Sequence, residues 1–255
     1  MNALVELVLP IAEAARAELL GAAGVFARIG AAAFLLPLFG ERVVPARIRL
    51  VLALALTAVV APVVAPGLPE RAGPLFLIGE AAAGLLIGFG LRALVMALQI
   101  AGSVAAQAVS LSQLLGSPVS EPLPAIGHVL TVAALALAAL AGLPAEAAAA
   151  LAASYEALPA GLGLGAGEGA DWTIARAGAA FALGVRLAAG FVAVGLAYNL
   201  ALGVVSRAMP QLMVALVGAP AISLAALALL AATAPLLLPV WLDALGDRLR
   251  DPLGP

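Results

Sequence analysis

The chain has 255 residues, of which 65% are hydrophobic and 10% charged, with a formal net charge of −2. A mean hydropathy of +1.18 lies far outside the soluble range and sets the membrane class before any motif is read. The absence of Cys excludes disulfides, iron–sulfur clusters and thiolate metal sites, and the slight negative charge gives no reason to expect nucleic acid as a partner.

Glu6 and Glu13 precede the first basic residue, Arg16, whereas a secretory leader begins positively charged. The first apolar run is therefore expected to stay in the mature protein. Six runs long enough for helices follow one another, at about residues 11–36, 48–64, 75–115, 124–140, 174–205 and 212–242. They are separated by Pro37, Gly40 and Pro45, by Pro62, Pro66, Gly67 and Pro69, by Gly116, Pro118 and Pro122, and by the stretch 159–169. Strands are not expected, because the runs exceed strand length and an unclosed sheet cannot span lipid. The predicted fold class is all-α.

The run lengths are uneven. At about 1.5 Å per residue the third run is roughly 60 Å long, twice the roughly 30 Å of a bilayer core. It is expected to kink, with Gly84, Gly88, Gly90 and Gly102 as places to do so, or to leave the hydrocarbon. The second run is near the minimum span. Alternating loops put Arg42, Arg47, Arg49 and Arg207 on one side and Arg71, Arg248 and Arg250 on the other, with Arg176 nearby, which orients nothing. Two explanations stand: a protein packed mainly against other proteins, or an ordinary polytopic protein with weak topology signals. The glycine-rich stretch 161–169 follows no strand and precedes no Lys-Ser/Thr, so it reads as a flexible connector and not a phosphate loop.

Enzyme chemistry finds little footing. His128 is the only histidine, so one chain cannot build a two-His metal site, and neither a His-Glu-x-x-His helix nor a Gly-x-Ser-x-Gly elbow occurs. No catalytic residue, metal or cofactor is assigned. Arg28, Glu80, Arg92 and Arg186 interrupt apolar runs and should face protein or water. They suit either an ion relay or structural pairing between helices or subunits. Gly84 and Gly88 form a small-xxx-small pair that permits close helix contact. The polar segment 107–122, which ends the longest run, suits a re-entrant or pore-lining element, or a plain surface loop. Near the C-terminus, Ser206, Arg207 and Gln211 gather around Pro210, as at the polar corner of a hairpin of two hydrophobic helices.

That corner belongs to a wider pattern. Pro37-Leu-Phe-Gly-Glu-Arg-Val-Val-Pro45-Ala-Arg-Ile-Arg comes first, then Glu80 through Gln107 with Ile87-Gly-Phe-Gly and Ala101-Gly102, then Leu158-Pro159. Asn199-Leu-Ala-Leu-Gly, Arg207-Ala-Met-Pro-Gln-Leu and Gly218-Ala-Pro220 complete it. In content and order these blocks resemble the FliR/SctT export-gate family of type III secretion systems, and the blocks at 199 and 218 resemble its flagellar branch more than its injectisome branch.

The resemblance implies membrane-associated helical hairpins in one domain spanning 1–255, with a FliP-like part, about 1–177, followed by a FliQ-like hairpin, about 178–249. It implies a place beside FliP and FliQ in an export gate of the bacterial inner membrane at the flagellar basal body. FlhB is implied as a further partner, unfolded flagellar proteins as passengers, and membrane lipid as a neighbour. It implies a pore plug at Gln107, Leu111, Ser112, Leu114, Leu115 and Pro118. Some relatives carry bulky aromatics where this chain has Ser112 and Leu115, so the seal here would rest on Leu111, Leu114 and Leu115. It implies subunit contacts at Arg207, Pro210, Gln211, Gly218 and Pro220. The rival is a stand-alone secondary transporter of about six spans, which should show an internal repeat; none is evident between the halves.

Overall fold

The computed structural model describes residues 2–69, 73–110, 125–161, 165–208 and 214–254. These residues form α1 (Asn2–Leu35), α2 (Ala46–Val64), a 3-10 turn (Ala65–Gly67), α3 (Pro74–Ser110), α4 (Ala125–Leu140), α5 (Leu143–Ala157), α6 (Ala166–Ala208) and α7 (Val214–Arg250), with no strand among them. Among the described residues, five stretches are long and apolar enough to cross a membrane: Glu18–Leu35, Ala46–Gly67, Pro74–Ala108, Gly167–Val205 and Leu224–Arg250. A sixth appears if α4 and α5, bent by 76° at a short break, count as one broken span.

Several elements depart from the sequence pattern. The pattern leaves residues 143–157 unassigned, yet they form α5, whose buried Leu143, Ala147, Ala150, Leu151 and Ser154 recur at helical spacing. Gly142 at φ +94 takes the left-handed conformation that glycine tolerates, and Pro144 sits in the first turn of α5, so the break before it is built locally. The stretch 161–169 is not wholly connector, because α6 starts at Ala166 with Glu168 in its first turn, where a carboxylate opposes the helix dipole. Pro62, expected as a breaker, lies inside α2, which ends two residues later at Val64. The third run forms the unbroken helix α3 up to Ser110.

The chain divides into two compact units, Met1–Arg92 with Ala139–Arg176 and Leu245–Pro255, and Ala93–Ala138 with Ala177–Ala244. In the first, α1 packs on α2 and α2 on α5. The pair Gly84 and Gly88 lays α3 against the backbone of α1, because a Cβ at either position would meet main-chain atoms of Arg28 or Ala32. Val25, Ile29 and Leu36 and, on α3, Ile87 and Leu91 are buried. The C-terminal tail is tied in by Trp172, whose indole N–H donates to Leu253 O at 3.0 Å, and by Arg248, which donates to Gly254 O at 3.0 Å.

In the second unit, glycines again mark the close approaches. Gly102 meets Gly127 backbone to backbone, Gly184 meets Ala97 and Ile100, and Gly195 meets Ala108. Ala105, Leu130, Phe191 and Leu230 form a core to which α3, α4, α6 and α7 each contribute one residue. Phe191 and Leu230 stand at nearly equal chain distance from residues 209–213. Trp241 is fully buried and donates to Leu94 O at 2.8 Å, so its one polar atom is satisfied.

Candidate functional site

In the first unit, a cluster of charge is enclosed by apolar helices. Arg28 of α1 is 0% exposed and Glu80 of α3 is 1% exposed. The guanidinium meets the carboxylate side-on, Nε donating to Oε2 at 2.8 Å and Nη2 to Oε1 at 3.0 Å. This bidentate geometry is the strong form of the pair. Nη1 turns to the end of α5, donating to Leu158 O at 3.0 Å and to Ser154 Oγ at 3.3 Å. The Tyr155 ring stacks 3.7 Å from the guanidinium carbon. Glu80 also accepts from Tyr155 OH and from the Gly161 N–H, each at 3.0 Å. Gly161 has φ +80, a conformation that keeps this N–H available to the carboxylate only for a residue that tolerates it.

Each carboxylate oxygen thus receives two donors, which fills the acceptor capacity of the group. A relay needs an open position for a migrating proton; this arrangement has the form of a pin. It ties α1, α3, the end of α5 and the turn after α5 at one point. Burial at this depth is tolerable because both charges are paired and hydrogen-bonded.

A second polar junction holds the turn between α1 and α2. Glu41 accepts from Arg92 Nη1 of α3, both side chains being 22% exposed. Arg49 gathers the turn's own carbonyls, donating to Phe39 O and Glu41 O at 3.2 Å and to Val44 O at 3.4 Å, and lies over the Phe34 ring at 4.6 Å. Leu38 has φ +72, a strained value for a branched side chain, and Gly40 sits where a Cβ would strike the Phe34 carbonyl. The turn is therefore a preformed object, with Arg42, Val43 and Arg47 exposed on its outside.

The structure brings Arg28 and Glu80 together and pairs Arg92 with Glu41. Arg186, expected to face protein or water, is exposed in the middle of α6, its Nε donating to its own helix at Ala182 O, 3.3 Å away. The core-facing stripe of α6 runs through Ala180, Leu187, Ala188 and Phe191, which leaves position 186 outside it. Gln107 is exposed near the end of α3, and Arg207 is exposed near the end of α6. Leu111, Ser112, Leu114, Leu115, Pro118, Pro210 and Gln211 lie outside the described residues, while Gly218 and Pro220 fall within α7. His128 is exposed in the first turn of α4. Among the described residues no three His, Cys, Asp or Glu side chains converge on a metal-sized site.

Sequence reasoning missed Ser154, Tyr155 and the Leu158 carbonyl as partners of Arg28. The signal that finds them is the spacing Leu143, Ala147, Ala150, Leu151, Ser154, which is helical although three of its members are small. A partly open, mainly apolar cavity of about 540 Å³ lies between the end of α2 and α5, with Tyr155 and Glu156 in its wall.

Comparison with known proteins bears on most of the chain. The profile of the family described as "Bacterial export proteins, family 1" matches residues 19–247. The flagellar biosynthetic protein FliR of Caulobacter vibrioides is 32% identical over 229 residues, covering 87% of this chain and 91% of that protein.

Proposed function

Because the chain belongs to family 1 of the bacterial export proteins, we propose that it is a subunit of the flagellar protein export apparatus in the bacterial inner membrane. The observation that carries the proposal is the near end-to-end match to a flagellar biosynthetic protein, joined to at least five helices able to cross a membrane. The chain acts as conduit and gate and performs no bond-making chemistry; energy for transport enters elsewhere in the apparatus.

In finer detail, the chain joins FliP and FliQ in a core complex at the flagellar basal body, with FlhB beside it, and unfolded flagellar proteins pass through. Residues 1–177 form a FliP-like part and 178–249 a FliQ-like hairpin. The lengths of α6 and α7, and the shared core position of Phe191 and Leu230, support the hairpin. Residues 107–122 close the channel and move aside for a passenger, with Leu111, Leu114 and Leu115 as the seal. Arg207, Pro210, Gln211, Gly218 and Pro220 hold the hairpin corner against neighbouring subunits. The Arg28–Glu80 pin keeps the FliP-like part rigid while the plug moves.

The test is a gentle purification of the tagged full-length chain from its native membrane, followed by mass measurement of the intact particle. A hetero-oligomer containing FliP and FliQ supports the proposal. A self-sufficient monomer that moves a small solute in proteoliposomes overturns it.

A further inference from the structure

The helix α2 is apolar nearly all round. Only Ala53, Thr57, Val60 and Val64 are buried, one stripe at helical spacing, while Ile48, Val51, Leu54, Val59 and Val63 are exposed. With its terminal 3-10 turn it spans 22 residues, Ala46–Gly67, about 33 Å at the helical rise, close to the roughly 30 Å of a bilayer core. No charged residue occurs between Arg49 and Glu70, so charge returns only at the two ends of this length.

At the first end stands the rigid turn. Its one acid, Glu41, is taken by Arg92, and Arg49 is spent on the turn's carbonyls. Arg42 and Arg47 point outward and pair with no acid among the described residues. Between them Val43 is 92% exposed, the most exposed large apolar side chain described. Two outward arginines flanking an apolar knob, at the end of an apolar face of bilayer length, are complementary to an anionic headgroup layer above acyl chains.

We infer that the outer face of α2 lies against lipid, with Arg42 and Arg47 engaging the phosphate of an anionic phospholipid and Val43 inserted beside it. The inference rests on the membrane placement proposed above and adds one lipid-facing surface to a chain otherwise assigned to contacts between subunits. The preformed turn matters here, because the lipid does not have to order the backbone that carries the two arginines: Arg49, Gly40 and the Glu41–Arg92 pair already set it.

The chain has no native Cys, so Val43→Cys and Leu54→Cys each place a single bimane label on the full-length chain within its purified complex. The complex is reconstituted in vesicles carrying brominated phosphatidylglycerol or, mole for mole, brominated phosphatidylcholine. Leu54 should be quenched by both lipids. Val43 should be quenched more by phosphatidylglycerol, with an enrichment of about fivefold per arginine that disappears in Arg42→Gln/Arg47→Gln. No quenching at either position places a protein partner over α2 and overturns the inference, while leaving the membrane placement proposed above standing. Quenching at Leu54 with equal quenching at Val43 by the two lipids overturns the headgroup contact alone. Should the double variant fail to assemble, the comparison of the two lipids in the parent Val43→Cys chain still decides.

Discussion

Replacing Glu80 with Gln changes one atom and should destabilise the protein more than any conservative surface substitution. The side chain keeps its shape, and its remaining carbonyl oxygen still accepts one or two of the four donors now directed at Glu80. The loss is electrostatic: Arg28, 0% exposed, keeps its charge with no anion beside it, and the new amide presents N–H groups to a guanidinium that has only N–H groups to offer. Removing one member of a buried pair costs about 3–5 kcal/mol. At the low end of that range the unfolding midpoint of a chain this size falls by roughly 6–12 °C. The protein carries its own control. Arg250 and Asp247 form an ion pair of 2.7 Å, as short as the 2.8 Å pair of Arg28 and Glu80, but 78% and 75% exposed. Breaking it with Asp247→Asn should cost about 0.5 kcal/mol or less, because solvent already screens both charges. Thermal unfolding of the full chain in detergent, followed by tryptophan fluorescence, measures both variants. Equal midpoints for Glu80→Gln and Asp247→Asn would refute the claim that burial, and not distance, sets the weight of the pair.

Other expectations follow from the same geometry. Gly84→Ala forces a Cβ into the Arg28 carbonyl and should destabilise by about 1–3 kcal/mol, whereas Gly79→Ala on the same helix meets nothing within 4 Å and should stabilise by up to about 1 kcal/mol; unfolding midpoints that shift the same way for both would contradict the α1–α3 crossing. If the hairpin corner contacts neighbouring subunits, Arg207→Glu inverts a charge in a poorly hydrated interface and should cut the yield of intact complex, and with it swimming motility, several-fold; normal yield would place the corner in solvent. If residues 107–122 seal the channel, deleting residues 112–118 should raise the permeability of the cell membrane to ions and small solutes, and unchanged permeability would remove the plug from that segment.

Much of the helix layout was legible in the chain because it depends on neighbours in sequence. Long apolar runs with Pro and Gly between them mark helices wherever their residues later pack, and α1, α2, α3, α4, α6 and α7 all grow from such runs. The helix α5 was not legible in the same way. It is rich in alanine and carries Glu146, Tyr155 and Glu156, so its mean apolarity is diluted while its buried stripe remains regular. The family blocks were legible too, and the turn at 37–49 gives one of them a physical content: a Cβ at Gly40 would strike the Phe34 carbonyl, Glu41 accepts from Arg92, and Arg49 donates to the turn's carbonyls.

By itself, then, the sequence determined the helical class, the affinity for a membrane and the family, since each of these is written in composition, run length and motif order. It also showed that four charges stand inside apolar runs, but not what becomes of each. Arg28 and Arg186 have similar local surroundings, an arginine among small and aliphatic residues; one is fully buried beside Glu80 and the other is exposed. Tertiary structure alone decided this, because burial depends on which helix face meets another helix. The partners that make burial of Arg28 tolerable lie 52, 126 and 130 residues away along the chain. No local pattern encodes such a meeting, and only the folded chain brings those groups within hydrogen-bonding distance.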